Sequence, residues 1–297
     1  MHTDTRCPEG WLSTRRDANL RALAAMAASV PPEAGGGTTE QAMREEQRPF
    51  WVKAFDVASV SALVVLLALA TAHLLHTLGD GGSWWVLAPA TVAAVVVADL
   101  VSGLVHWTCD RFFAEDTPVI GRMLIRPFRE HHADPLAITR HGLFELCGNN
   151  ALAVLLPVLG LVLAGAPRAS AGAVAGHAFV IVVAMAVFAT NQFHKWAHAE
   201  HRTAAVRFLQ RSRLILSPEV HGRHHRGDFS HGYCVTTGWL NPLLDRMRFF
   251  ARLDAWIERG MRARGRVKSG AEVRPRSGSA PRPLASPPPG RERTTAR

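Results

Sequence analysis

The chain has 297 residues, with 34 Lys and Arg against 24 Asp and Glu, a formal net charge of +10, and 15 histidines beside a single tyrosine. The basic balance does not point to nucleic acid, because the charge is concentrated in a C-terminal tail and in loops beside apolar runs, the pattern of basic flanks around membrane spans. The four cysteines, Cys7, Cys109, Cys147 and Cys234, are far apart and form no CxxC pair, which argues against a disulfide framework or a zinc ribbon.

In chain order, residues 1–48 are polar, carry a GGG run, and lack the short apolar region and small-residue cleavage site of a signal peptide; they are expected to be a disordered arm. A domain over 49–258 follows, with four apolar segments. Residues 55–76 (FDVASVSALVVLLALATAHLLH), 84–107 (WWVLAPATVAAVVVADLVSGLVHW) and 172–193 (GAVAGHAFVIVVAMAVFATNQF) each reach the roughly 20 residues that cross a bilayer. Residues 150–165 (NALAVLLPVLGLVLAG) are shorter and need a thinner bilayer or a neighbouring helix. Four such runs exceed what the core of a soluble protein of this size needs. Residues 259–297 are rich in Pro, Ser, Gly and Arg, cannot bury a core, and are expected to be a disordered basic tail.

The connecting loops alternate in charge. The first (77–83) has no Lys or Arg and the third (166–171) has only Arg168, whereas the second (108–149) carries Arg111, Arg122, Arg126, Arg129 and Arg140. The positive-inside rule then places both termini and the second loop in the cytoplasm. The expected fold is all-α: four transmembrane helices with a cytoplasmic histidine-rich cap.

On this topology most of the histidines gather at one membrane face. "HKWAH" sets His194 and His198 one helical turn apart, and "HWTCD" does the same for His106 and Asp110. "HGRHH" groups His221 with His224 and His225, and "REHH" adds His131 and His132. Any one of these spacings is weak evidence; their convergence on one face is strong. Eight imidazoles and a carboxylate exceed the four ligands of one zinc, which suggests two metals. Nitrogen-rich ligation with some oxygen, and open positions for a gas, suits iron. His73, His76 and His177 fit no such group.

Asp99 lies inside the second span, seven residues before His106 and on roughly the same face. An acid at that depth is costly and needs a partner. It reads either as a carboxylate orienting a ligand imidazole or as a structural hydrogen bond between helices. Arg126, Arg129 and Arg140 read either as phosphate-holding groups or as simple topology determinants.

Several stretches, "DLVSGLVHWTCD", "GRMLIRPFREHHADPLAITRHGLFELCGNN", "NQFHKWAH", "HGRHH" and "YCVTTGWLNPLLD", together resemble the lipid desaturase (Kua) family, which contains plasmanylethanolamine desaturase. The resemblance runs in the same order over about residues 50 to 255. It implies a membrane fatty-acid-desaturase-like enzyme with a di-iron cap that uses O2 to take two hydrogens from a lipid chain. The product it implies is the vinyl ether of a plasmalogen, made from an alkyl ether phospholipid. It also implies His106, Asp110, His131, His132, His194, His198, His221, His224 and His225 as iron ligands.

The family pattern further marks His141 as substrate-facing or as supporting a ligand, so His141 and Asp99 stand as the candidate catalytic residues beyond the metal ligands. Gly142, "GNN" at 148–150 and "RGDFSHGY" depart from the family pattern, and His231 is not carried over as a site. Electrons must come from a separate donor, cytochrome b5-like or ferredoxin-like, since the chain has no cytochrome-like or iron–sulfur motif of its own. The competing readings are an acyl-chain desaturase or hydroxylase on the same scaffold, and a non-enzymatic histidine-rich metal-binding protein or transporter.

Overall fold

The computed structural model describes residues 49–263 except 119, 227 and 228. The arm expected at 1–48 lies outside the described residues, as do residues 264–297 of the expected tail. The described chain is helical, with no strand among the described residues. Its helices are α1 (Phe50–Gly79), α2 (Leu87–Arg111), α3 (Arg126–Ala133), α4 (Leu143–Ala164), α5 (Ala171–His198), α6 (Ala204–Arg211), α7 (Pro218–His224), α8 (Asn241–Arg246) and α9 (Phe249–Ala263).

Four spans are long and apolar enough to cross a membrane: α1, Trp84–Arg111 (α2 with the helical turn before it), α4 and α5. The α4 helix begins at Leu143, seven residues before the expected span, so the short segment needs no thinned bilayer. With 22 residues and a rise of about 1.5 Å each it reaches roughly 33 Å, more than a hydrocarbon core of about 30 Å. The turns before Asn150 carry Glu145 and Asn149, and protein groups meet the polar side chains at this end of the bundle. Asn149 donates to the Met123 carbonyl at 2.8 Å, Asn150 to the Val187 carbonyl at 2.8 Å, and Asn191 of α5 to the Leu146 carbonyl at 2.9 Å.

In the bundle α1 packs on α4, α2 on α5, α4 on α5, and α1 on α5. Leu63, Ala70, Val158, Val174 and Ile181 fill the space between them. Apolar side chains that point outward, such as Val64, Leu69, Val92, Leu156 and Leu163, are exposed, as lipid-facing positions require. Cross-links fix which ends lie together. Lys195 near the end of α5 donates to the His141 carbonyl just before α4, and Thr77 near the end of α1 donates to the Pro167 carbonyl between α4 and α5. The C-terminal ends of α2 and α5 therefore share one end of the bundle with the N-terminal end of α4. That end carries α3 and α6–α9.

The far end holds His73, His76 and His177. His76 pairs with Asp80 at the exposed end of α1, and His177 of α5 donates from Nε2 to the Ala70 carbonyl of α1 at 3.0 Å. At the other end of the chain, α9 runs through the boundary expected at 258 to Ala263. Its Phe249, Phe250, Leu253 and Ile257 repeat at helical spacing and pack on Leu100, Leu104 and Trp107 of α2. Asp254 accepts from Trp107 Nε1 at 3.2 Å and pairs with Arg111, which locks α9 to the end of α2.

Candidate metal centre

The end of the bundle that carries the cap is where nitrogen donors converge. Two groups of side chains each bring their ligand atoms within 4.8 Å of one another. The first holds five imidazoles: His131, His194, His198, His221 and His225. The second holds His106, Asp110, His132 and His224. These are the nine side chains that the sequence spacing singled out. The groups adjoin, with the His131 and His132 ring centroids 4.3 Å apart and those of His224 and His225 5.6 Å apart.

Helix geometry explains the sorting. Residues four apart share a face, so His194 with His198, His221 with His225, and His106 with Asp110 each point into a single group. Adjacent residues diverge by about 100° around the helix. The His131–His132 pair and the His224–His225 pair are therefore each divided between the two groups. α3 and α7 stand between the groups: α3 supplies one ligand to each side, and α7 with the residue that caps it supplies His221 and His225 to one and His224 to the other.

These nitrogens are not a hydrogen-bond network. His221 Nε2 lies 2.8 Å from His194 Nε2, 2.8 Å from His198 Nε2 and 2.9 Å from His225 Nε2. One ring nitrogen offers a single proton or a single lone pair, so it cannot serve three partners at once. Two nitrogens bound to one ion at about 2.1 Å sit roughly 3.0 Å apart at right angles and roughly 3.4 Å apart at tetrahedral corners. The observed spacings fall close to that range.

The second group also carries orphaned atoms. His106 Nε2, His132 Nδ1 and both carboxylate oxygens of Asp110 are buried with no hydrogen-bond partner. His106 Nε2 is 3.5 Å from Asp110 Oδ2, and His132 Nδ1 is 3.8 Å from Oδ1, too far for hydrogen bonds. Buried polar atoms left unpaired cost on the order of 1–3 kcal/mol each. A cation between them removes that cost, and the donor set fits a metal in each group.

The protonation states agree. Burial, with neighbouring imidazoles second, pushes His131, His132 and His221 well below the ordinary histidine range, and burial brings His224 and His225 down to about 3. Neutral rings with free lone pairs are the form that binds metals. Tautomers are fixed too. His106 Nδ1 faces the Tyr233 carbonyl at 3.2 Å and His224 Nδ1 the His231 carbonyl at 2.7 Å. A carbonyl only accepts, so each Nδ1 carries the proton and each Nε2 presents its lone pair to the second group.

Asp99 and His141 lie outside both groups. Asp99 is fully buried, and its carboxylate accepts from the backbone N–H groups of Thr237, Gly238 and Leu240 rather than from an imidazole. His141 is half-exposed, with Nδ1 3.2 Å from Glu145 Oε2. The three arginines all have protein partners: Arg126 pairs with Glu130, Arg140 with Asp134, and Arg129 donates to the Phe113 carbonyl.

The supporting carbonyls of Tyr233 and His231 escaped the sequence reading, because backbone groups leave no trace in residue type. Asp99 was the available signal: an acid deep in a span has to be satisfied by something.

The lipid desaturase domain matches residues 95–268, which include all nine side chains of the two groups. The plasmanylethanolamine desaturase of Myxococcus xanthus is 41% identical over 208 residues, 69% of this chain and 73% of that protein. Plasmanylethanolamine desaturase 1 of Mus musculus is 40% identical over 171 residues, 56% of this chain and 63% of that protein. The chloroplastic fatty acid desaturase 4 of Arabidopsis thaliana is 33% identical over 179 residues, 59% of this chain and 53% of that protein. No solved structure matches the chain. With the domain covering more than half of the sequence, and its match containing every donor of the two groups, the chain belongs to the lipid desaturase family.

Proposed function

We propose that this protein is an O2-dependent membrane di-iron desaturase that converts plasmanylethanolamine to plasmenylethanolamine, forming the vinyl ether bond of a plasmalogen. The observation that carries the reading is the convergence of nine donors, in two adjoining groups, at one end of four membrane-length helices. The substrate assignment rests on the 41% and 40% identity to plasmanylethanolamine desaturases, against 33% to a chloroplastic fatty acid desaturase. A metal transporter would hold its donors near the bilayer midplane, between broken helices. Here they sit where α2 and α5 end.

In the reaction an O–CH2–CH2 unit loses two hydrogens to become O–CH=CH, and O2 with two electrons and two protons becomes two waters. Bound iron supplies the activation of O2 needed to break an unactivated C–H bond. The chain supplies the rest. His131, His194, His198, His221 and His225 would hold one ion, and His106, Asp110, His132 and His224 the other. Phe128 and Phe229 pack against the imidazoles, at 5.3 Å from His106 and 4.6 Å from His132 between ring centroids, and keep water from that side. The apolar spans hold the site at the level of a lipid chain, so the substrate need not leave the bilayer.

The Lys and Arg asymmetry of the loops supports a cytoplasmic site with both termini on that side, where an external donor of the cytochrome b5 or ferredoxin type would deliver electrons. Reporter fusions in the 77–83 loop and at the C-terminus test the orientation, and an extracytoplasmic C-terminus would overturn it.

The substrate test uses a host that makes alkyl ether phospholipids but no plasmalogens. Vinyl ethers release a long-chain aldehyde in mild acid, whereas alkyl ethers and esters do not. Expression should create acid-released aldehyde that requires O2 and disappears with His194→Ala. A new acyl double bond without aldehyde would transfer the assignment to acyl-chain desaturation.

A further inference from the structure

Residues 231–240, leading into Asn241 of α8, form an irregular segment packed against the membrane-spanning part of α2, and all of it except His231, Trp239 and Leu240 is buried. Irregular backbone at that depth has no water and no ladder to satisfy it, so protein groups must do so. Side-chain oxygens take most of its N–H groups. Gly232 donates to Asp245, Cys234 to Asn241 Oδ1 at 2.8 Å, Val235 to Ser102 Oγ at 3.0 Å, and Trp239 to Thr237 Oγ1. Asp99 alone takes three: Thr237 at 2.8 Å and Gly238 at 2.9 Å on Oδ1, and Leu240 at 3.1 Å on Oδ2.

Two glycines allow the close fit. A Cβ on Gly103 of α2 would lie 2.6 Å from Cys234 Sγ. Gly238 has φ +74°, and a Cβ there would lie 2.6 Å from the Val220 side chain.

The start of this segment does a second thing. The carbonyls of His231 and Tyr233 are the groups that hold the Nδ1 protons of His224 and His106. Both imidazoles belong to the group with Asp110. The five-histidine group meets this segment at one remove: Thr236 Oγ1 lies 2.7 Å from Thr190 Oγ1 of α5, and Val235 packs with Phe193 and Val220, while the Nε2 atoms of His194, His198, His221 and His225 face one another.

We propose that residues 231–241 are a template for the mixed histidine–aspartate metal position alone, and that Asp99 is its positioning residue, acting through the loop and not on the metal. The inference rests on the two-metal reading of the site. Asp99 fixes the loop, the loop fixes two carbonyls, and the carbonyls fix the tautomer and direction of two of the four ligands. Partners that orient a ligand in this way are each worth roughly 10–100-fold in metal affinity. Loosening the anchor should therefore empty one metal position and spare the other.

The test counts iron per chain, with Mössbauer spectra, in the full-length protein purified in nanodiscs after growth on 57Fe. Wild type should hold two irons in two distinguishable environments; fewer than two counts against the metal reading itself and is established before any variant is compared. Asp99→Ala should fall toward one iron per chain. It should lose the same spectral component as Asp110→Ala and keep the component of the nitrogen-only group. Asp99→Asn keeps one oxygen acceptor and should retain more iron than Asp99→Ala. Asn241→Ala, which frees both backbone groups of Cys234 within the loop, should repeat the selective loss and decides the matter if Asp99→Ala fails to fold. Two irons retained in Asp99→Ala and Asn241→Ala, or both components lost in parallel, would overturn the proposal.

Discussion

The two halves of the candidate metal centre are built differently. The five-imidazole half is written almost wholly in helix spacing: His194 with His198 on α5, His221 with His225 at the end of α7, and His131 from α3. The mixed half takes one spaced pair, His106 and Asp110, and then one member from each adjacent histidine pair, His132 and His224. It also borrows two carbonyls from a loop that follows α7 in the chain and packs back on α2. The first half has more donors than a four-coordinate ion needs. The second has only four and depends on a long-range contact. Redundancy in one half and dependence in the other should appear as unequal sensitivity to substitution.

The largest effect is expected at His221, whose Nε2 stands within 2.9 Å of three other imidazole nitrogens. His221→Ala should lower turnover by more than the roughly 10–100-fold expected of a residue at one remove from a metal, while the protein still inserts, since insertion depends on the apolar spans. Product formation per membrane-inserted chain is the readout, and near-normal turnover would break the five-imidazole half of the account.

A sharper contrast comes from removing one donor on each side. Asp110→Ala leaves three donors and should reduce iron to about one per chain, whereas His225→Ala leaves four nitrogens and should keep nearly two irons even as turnover falls. Equal iron loss in both variants would erase the difference between the halves.

His141→Ala should have a smaller effect. The side chain lies outside both groups, and Lys195 bonds to its backbone carbonyl, which the substitution leaves in place. Both irons should stay, with kcat/KM reduced by about tenfold, in the range of residues that act at one remove from a metal. Iron loss in this variant would move His141 into the centre.

The smallest effects belong to the far end. His73→Ala should change neither iron nor turnover. His177→Ala loses one bond between α5 and α1, worth about 0.6 kcal/mol within a membrane, and should lower thermal stability slightly with iron unchanged.

Much of this was legible in the sequence because helical period and hydropathy are local signals. The spans of α1, α2 and α5, and the four-residue spacing of His194 and His198, follow from them directly. The start of α4 was hidden because Glu145 and Asn149 lower the hydropathy of residues 143–149, although His141 and the Met123 carbonyl partner them. The split of the adjacent histidines was hidden because "HH" looks like one feature until a helix places its members on diverging faces. Asp99 illustrates the limit. Its cost in a span announces a partner, but that partner is a backbone more than 130 residues away, and no spacing rule reaches that far.

The central claim is that the chain holds two metal ions in unlike environments, one among five imidazoles and one beside Asp110. Mössbauer spectroscopy of the purified wild-type protein, combined with iron and zinc analysis, tests it most directly. The account predicts two irons per chain and two resolved components of equal area. A single iron, a single component with bound zinc, or an active protein free of iron would contradict it.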